Sequence, residues 1–176
     1  MKLIPVPGKT CGSCMMCCKL PLIKELNKPQ GVWCNYAKVG QGCTNYQNRP
    51  VECRDFYCDF MIAPQLGEEW RPSVARFMTF ESLFTGNFTI ITDKNSSNSW
   101  KDKKYYPRLK DHALKLFKSG KLSYAIQGEY FTVILPDRDE TVRVPHGSHI
   151  QANPVELTNG IRYEISVVEG SWPRKM

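Results

Sequence analysis

Eight cysteines are the residues of this sequence with the clearest capacity for chemistry, and all of them lie in the first third of the chain. They are Cys11, Cys14, Cys17, Cys18, Cys34, Cys43, Cys53 and Cys58. The rest of the 176-residue chain contains no cysteine. Cysteine thiolates are ligands of soft and borderline metal ions, so this concentration of sulfur predicts a metal-binding region.

The spacing of the cysteines supports this prediction. Two residues separate Cys11 from Cys14 and Cys14 from Cys17, and four separate Cys53 from Cys58. Short spacers of this kind let a turn direct both sulfurs toward one ion. Eight thiolates suit two tetrahedral four-cysteine sites, or one four-thiolate iron–sulfur cluster with cysteines to spare. The spacing leaves open which cysteines share a site.

The adjacent pair Cys17-Cys18 carries a separate expectation. Neighbouring side chains in an extended segment point to opposite sides of the backbone. We therefore expect these two cysteines to serve different sites, or one of them not to be a ligand.

Three alternatives to zinc binding could account for the cysteines. Disulfides are disfavoured because the N-terminus has no apolar segment typical of a secretory signal, which predicts a cytoplasmic location where disulfides are rare. Eight buried free thiols within so short a stretch would be unusual. An iron–sulfur cluster accepts the same thiolates and often uses two-residue spacers, so it remains the main alternative. We expect zinc, which needs no assembly machinery.

Two arginines lie among the cysteines, Arg49 and Arg54. Thiolate-rich metal sites carry net negative charge, and guanidinium groups can donate hydrogen bonds to the sulfurs. We expect both arginines to support the site in this way.

Three segments within residues 8–60 resemble the YkgJ-type cysteine-cluster family, described as a zinc- or iron-chelating domain. The segments read CGSCMMCC, KPQGVWC and GCTNYQNRPVECRDFYC. The resemblance implies that all eight cysteines are metal ligands, and it implies chelation rather than a particular reaction. Some members of the family carry a His-Cys pair where this chain has Tyr36-Ala37, so a further ligand available to them is missing here.

The expected fold is α+β. We expect an N-terminal cysteine-rich module stapled by metal at residues 1–62, then a β-rich part at residues 63–176 that packs with it as one compact unit. The β-rich part should be an antiparallel sheet with one or two helices. Apolar periodicity predicts strands at 74–80, 88–92, 141–144 and 161–167, a helix at 108–119 and a hairpin turning at Gly128-Glu129.

Composition narrows the classes of function. With 41% hydrophobic and 23% charged residues the chain is typical of a soluble globular protein, and no apolar run is long enough to predict a membrane span. Metal-bound thiolates would offset part of the formal charge of +7, which weakens the case for nucleic acid as a partner. The metal ion is the one partner we predict. No motif assigns a catalytic residue, so enzymatic activity is left open.

Overall fold

The computed structural model of the protein describes residues 3–82, 85–158 and 160–170. These residues form an α+β fold, as the sequence predicts. The strands are β1 (Ala37–Lys38), β2 (Gly42–Cys43), β3 (Phe77–Glu81), β4 (Phe88–Thr92), β5 (Ser123–Gln127), β6 (Tyr130–Ile134), β7 (Asp139–Arg143), β8 (Ser148–Leu157) and β9 (Gly160–Glu169). The α-helices are α1 (Val51–Arg54), α2 (Asp59–Ile62), α3 (Pro72–Ala75) and α4 (Tyr106–Lys118).

The chain divides into two compact units. The first comprises Met1–Phe80 and Ile91–Trp100, and the second comprises Glu81–Ile90 and Lys101–Met176. All eight cysteines lie in the first unit, together with the whole of the predicted module at residues 1–62. That the cysteine module and the β-rich part pack as one compact unit stays a prediction.

Short elements make up the cysteine-containing part of the first unit. The α-helices there are four residues long, and β1 and β2 are two residues each. Further turns of 3-10 helix lie at Met16–Cys18, Lys24–Leu26, Glu68–Trp70, Lys94–Ser96 and Ser99–Lys101. Glycines and prolines punctuate this stretch and prevent longer helices. Its stability therefore depends on contacts between elements rather than on any one helix or strand.

The predicted strand at 74–80 is wrong at its beginning. Pro72 begins α3, which Arg76 ends in a left-handed conformation with φ 64°. Strand β3 starts only at Phe77, where the side chain is buried. Proline at the first position of a helix explains why the apolar run starts as a helical turn despite its β-forming residues.

The second unit contains regular structure that the sequence predicts well. Strands β5, β6 and β7 form an antiparallel meander that turns at Gly128-Glu129. Helix α4 begins two residues earlier than predicted, with Pro107 in its first turn and Gly120 at φ 71° after its end. The core of this unit comprises Leu122, Tyr124, Val133, Leu135, Val144 and Ile150.

Strand β8 was missed by sequence analysis, which identified only its partner β9. The ten residues of β8 pair with β9 in an antiparallel two-stranded sheet. Pro154 interrupts the sequence pattern, yet a strand that pairs on one side tolerates a residue without an N–H group. The other sheets are β1-β2 and a five-stranded sheet of order β3-β4-β5-β6-β7. Among the helices in the described ranges, none has the length and apolar character that a bilayer crossing requires.

A tyrosine–carboxylate contact links α4 to β7 in the second unit. The Tyr106 hydroxyl lies 3.0 Å from both carboxylate oxygens of Asp139, and Lys110 Nζ lies 3.4 Å from Oδ1 of the same residue. Burial, reinforced by the charge and hydrogen bonding of Asp139, raises the pKa of Tyr106 to about 12. The neutral phenol therefore stabilises the folded state as a hydrogen-bond donor.

We expect Tyr106→Phe to reduce the pH dependence of stability at high pH. Because the unfolded phenol ionises near pH 10, the stabilisation is complete below that pH and is lost as pH rises toward about 12. The difference in unfolding free energy between wild type and Tyr106→Phe should shrink over this range in urea titrations. Tyr130→Phe, at an exposed position on β6, is the matched control. A difference that stays constant with pH would contradict this assignment.

Candidate metal centre

The first three cysteines lie on two consecutive turns of the backbone. The Cys14 N–H donates to the carbonyl oxygen of Cys11 at 2.8 Å, and Gly12 supplies the positive φ of 51° within that turn. Cys17 follows in the 3-10 helix Met16–Cys18. The spacer between Cys11 and Cys14 thus forms a tight turn, as the sequence predicts, whereas Cys17 belongs to the following 3-10 helix.

Four cysteines line one small cavity in the first unit. We call Cys11, Cys14, Cys17 and Cys58 the first cysteine group, because these four residues line a cavity of about 20 Å³. The cavity is also lined by Phe60, Met61, Arg71, Pro72 and Met78. Its volume is comparable to the space taken by one water molecule. Residues from both ends of the cysteine region therefore converge at one point.

Burial and the charges of neighbouring thiolates make Cys11 and Cys58 hard to ionise without a compensating charge. Burial, with smaller contributions from the charges of Cys11 and Cys14, raises the pKa of Cys58 to about 12, although a hydrogen bond from the Met61 backbone opposes this shift. Burial also raises the pKa of Cys11, as does the neighbouring Cys14. A bound cation would reverse this effect because it stabilises the thiolate form of each ligand.

Backbone contacts hold the N-terminal segment against the segment that carries Cys58. The Val6 N–H donates to the Met61 carbonyl oxygen at 2.8 Å. Lys9 Nζ donates to the carbonyl oxygens of Ala63 and Leu66 at 2.7 Å and 2.6 Å. These contacts explain how cysteines far apart in sequence come to line one cavity.

The remaining four thiols form a second neighbourhood, which we call the second cysteine group: Cys18, Cys34, Cys43 and Cys53. Burial raises the pKa of Cys53, and the charges of Cys18, Cys34 and Cys43 raise it further. The Cys34 N–H donates to the Cys18 carbonyl oxygen at 2.9 Å. Cys43 lies on β2, which pairs with the strand that begins shortly after Cys34.

The segment that carries Cys53 is joined to the same region by two acidic side chains. Glu52 N–H donates to Glu25 Oε1 at 3.0 Å, and Glu25 N–H donates to Glu52 Oε2 at 3.4 Å. Each carboxylate therefore accepts a hydrogen bond from the first turn of the other's short helix, which is a favourable position for negative charge. This reciprocal contact holds the Cys53 helix beside the loop that leads to Cys34.

Cys17 and Cys18 differ from the sequence expectation in geometry. They lie in a 3-10 helix rather than an extended segment, so their side chains do not point to opposite sides. The Cys17 thiol donates a hydrogen bond to the Cys18 sulfur, which raises the pKa of Cys17 and lowers that of Cys18 to about 7. Apart from each other, Cys17 is influenced by Cys11 and Cys14, and Cys18 by Lys28. Their assignment to separate sites stays a prediction.

Of the two arginines expected beside the sulfurs, Arg49 is half-buried and Arg54 is exposed. Arg49 stacks 3.8 Å above the centre of the Tyr46 ring and donates to the Tyr46 carbonyl oxygen at 3.2 Å. Its charge also contributes to lowering the pKa of Cys11, so it acts on the first group electrostatically. Arg54 is an exposed residue of α1. Hydrogen bonding from either arginine to sulfur stays a prediction.

Two cations that the sequence did not indicate, Arg71 and Lys28, contact the backbone of the cysteine segments. Arg71 lines the cavity of the first group, and its Nη1 donates to the carbonyl oxygens of Thr10 and Cys11 at 2.8 Å and 3.0 Å. Lys28 is only 4% exposed. Burial lowers the pKa of Lys28, whereas nearby cysteines, led by Cys34 and Cys18, raise it. No local motif marks either residue, because both reach the cysteines through the fold.

The chemistry of the donor set suits a tetrathiolate metal. All eight cysteines lie in the described part of the chain, and each is a free thiol. Two neighbourhoods of four sulfurs match the number of ligands that zinc takes in structural sites. In residues 3–82, 85–158 and 160–170, however, no three His, Cys, Asp or Glu side chains form a group that could hold an ion as they stand. Coordination would therefore require the sulfurs of each neighbourhood to draw together.

No family model, curated protein or solved structure matches this chain. Membership of the YkgJ-type family therefore stays a prediction based on the cysteine segments.

We expect Arg71→Lys to loosen the turn that carries Cys11. Lysine keeps the charge but cannot span both carbonyl oxygens and the carboxylate of Glu68, to which Arg71 Nε donates at 2.7 Å. Loss of these contacts should lower the free energy of unfolding by about 1 to 3 kcal/mol and increase the rate of Cys11 alkylation measured by peptide mapping. Arg143→Lys, which affects an exposed pair with Glu129, is the control. Equal alkylation of Cys11 in both variants would refute this role for Arg71.

Proposed function

We propose that this protein binds zinc through its eight cysteine thiolates, in two four-cysteine sites that stabilise the first unit. The observation that carries the proposal is the division of the cysteines into two neighbourhoods of four. One neighbourhood lines a common cavity, and the other is coupled electrostatically around Cys53. Four thiolates are the complete ligand set of a structural zinc site, which leaves no open position for catalysis.

A structural role is supported by the nature of the elements that carry the ligands. The cysteine segments contain only two-residue strands and helical turns of three or four residues. Such elements contribute little stability by themselves. Two ions would crosslink segments that are distant in sequence, and structural zinc supplies on the order of 10 kcal/mol in comparable small modules. Metal binding would then be a condition for the stable fold of this region.

An iron–sulfur cluster with a redox, sensing or oxidoreductase role is the alternative function. One observation favours it: Cys11, Cys14 and Cys17 follow one another at two-residue spacing and all line the same cavity. Three closely spaced cysteines of this kind are common in cluster-binding proteins. The first cysteine group would then be the cluster site.

We also propose that the protein lies in the cytoplasm, which is a reducing environment. Thiolate ligands must stay reduced to bind metal, and cytosolic thiols are kept in that state. The metal ion is the proposed partner.

Purified protein should contain about two zinc ions per chain, because each tetrahedral site uses four thiolates. Elemental mass spectrometry gives the metal content, and thiol titration of denatured protein in chelator should detect all eight cysteines. An absorption spectrum of freshly purified protein separates the two metals, since iron–sulfur clusters are brown and zinc is colourless. Disulfides without zinc or iron would refute metal binding of either kind.

Paired cysteine substitutions test the grouping. Cys17→Ser combined with Cys58→Ser removes two ligands of one proposed site, so about one zinc ion per chain should remain. Cys17→Ser combined with Cys18→Ser should remove both ions, because each site loses one ligand. Metal content after gel filtration is the measurement. Retention of one ion by the Cys17→Ser, Cys18→Ser variant would mean that both residues serve the same site or that one of them is not a ligand, and would contradict the proposed grouping.

A further inference from the structure

Lys28 is a buried ammonium group inside the loop that joins two cysteines of the second group. Its Nζ donates to the carbonyl oxygens of Lys19, Pro21 and Pro29 at 2.9, 2.5 and 3.0 Å. An ammonium group has three N–H donors, so these three contacts use all of them. The ammonium group is therefore held in one position. Burial this complete is unusual for a lysine.

Backbone hydrogen bonds close the loop around Lys28. Lys28 and Ile23 exchange N–H to carbonyl hydrogen bonds of 3.0 Å in both directions, and the Gly31 N–H donates to the Leu20 carbonyl oxygen at 3.1 Å. The loop begins immediately after Cys18 and leads to Cys34, whose N–H donates to the Cys18 carbonyl oxygen at 2.9 Å. Lys28 consequently links the two backbone segments that present these cysteines.

A buried ammonium group has a cost that the three carbonyl oxygens only partly offset. Removing a cation from water is unfavourable unless hydrogen bonds and opposite charge compensate for it. A zinc ion with four thiolates has a net charge of −2 and would supply that opposite charge. The same ammonium group would in turn offset the repulsion among the thiolates.

We propose that Lys28 is the internal counter-charge and positioning residue of the second cysteine group, where it holds the 19–31 loop and favours binding of a metal by Cys18, Cys34, Cys43 and Cys53. This inference rests on the proposed function, because it concerns the metal affinity of one of the two proposed sites. The role differs from the one expected of Arg49 and Arg54, because Lys28 donates to backbone carbonyl oxygens rather than to sulfur.

Single-site backgrounds allow the two groups to be measured separately. Cys58→Ser leaves only the second group intact, and Cys43→Ser leaves only the first. Lys28→Met and Lys28→Arg are introduced into both backgrounds in the full chain. Lys110→Met is the matched control, because Lys110 also donates to two carbonyl oxygens, those of Leu135 and Arg138, but lies in the second unit. Zinc affinity is determined by competition with a chromophoric chelator, and cobalt-substituted protein reports thiolate coordination by its absorption bands.

In the Cys58→Ser background, Lys28→Met should weaken zinc binding by about 10- to 100-fold, as expected for loss of a residue that supports metal ligands. Lys28→Arg should retain more of the affinity because it keeps the charge, and Lys110→Met should leave the affinity unchanged. In the Cys43→Ser background, Lys28→Met should leave the affinity of the remaining ion unchanged, which also shows that the variant folds.

Two results would overturn the inference while leaving the proposed function intact. One is an unchanged affinity of Lys28→Met in the Cys58→Ser background. The other is an equal loss of affinity in both backgrounds, which would show a general effect on folding. A wild-type protein that binds no zinc or cobalt would refute the proposed function and the inference with it.

Discussion

Backbone carbonyl oxygens that no helix or strand satisfies are the constraint on which the cysteine region depends. Its helices and strands are two to four residues long, and buried carbonyl groups outside them require donors. Lysine and arginine side chains provide many of them: Lys9, Lys28 and Arg71 each donate to at least two carbonyl oxygens. Because these contacts join segments distant in sequence, they also determine where the cysteines lie.

The same cations place positive charge beside sulfur. Lys9 Nζ and the Arg71 guanidinium carbon lie 4.8 Å and 4.7 Å from the centre of the Phe60 ring, and Phe60 lines the cavity of the first cysteine group. Lys28 provides the corresponding charge for the second group. The same residues thus donate hydrogen bonds to backbone carbonyl oxygens and place positive charge near the cysteines. A substitution at any of them is expected to affect fold and metal affinity together.

Sequence periodicity succeeded where an element is long and its neighbours are close along the chain. Helix α4 and the hairpin of β5 and β6 were predicted within two residues, because their apolar faces and flanking Pro and Gly are local signals. The prediction was wrong where another effect outweighed apolar periodicity. Pro72 begins helix α3 where a strand was predicted. Pro154 interrupts the apolar pattern of β8, so this strand is recognised by its pairing with β9.

By itself, the sequence determined the donor chemistry: eight cysteines in one third of the chain, with short spacers of which the first forms a tight turn. Only the tertiary structure decided how these donors divide, because Cys58 and Cys53 reach their neighbours through contacts between distant segments. It also decided which cations accompany them. Arg49 and Arg54 lie among the cysteines in sequence, yet Arg54 is exposed and Arg49 stacks on Tyr46, whereas Lys28 is buried near Cys34 and Cys18. Proximity in sequence does not predict proximity in space when the backbone reverses direction every few residues.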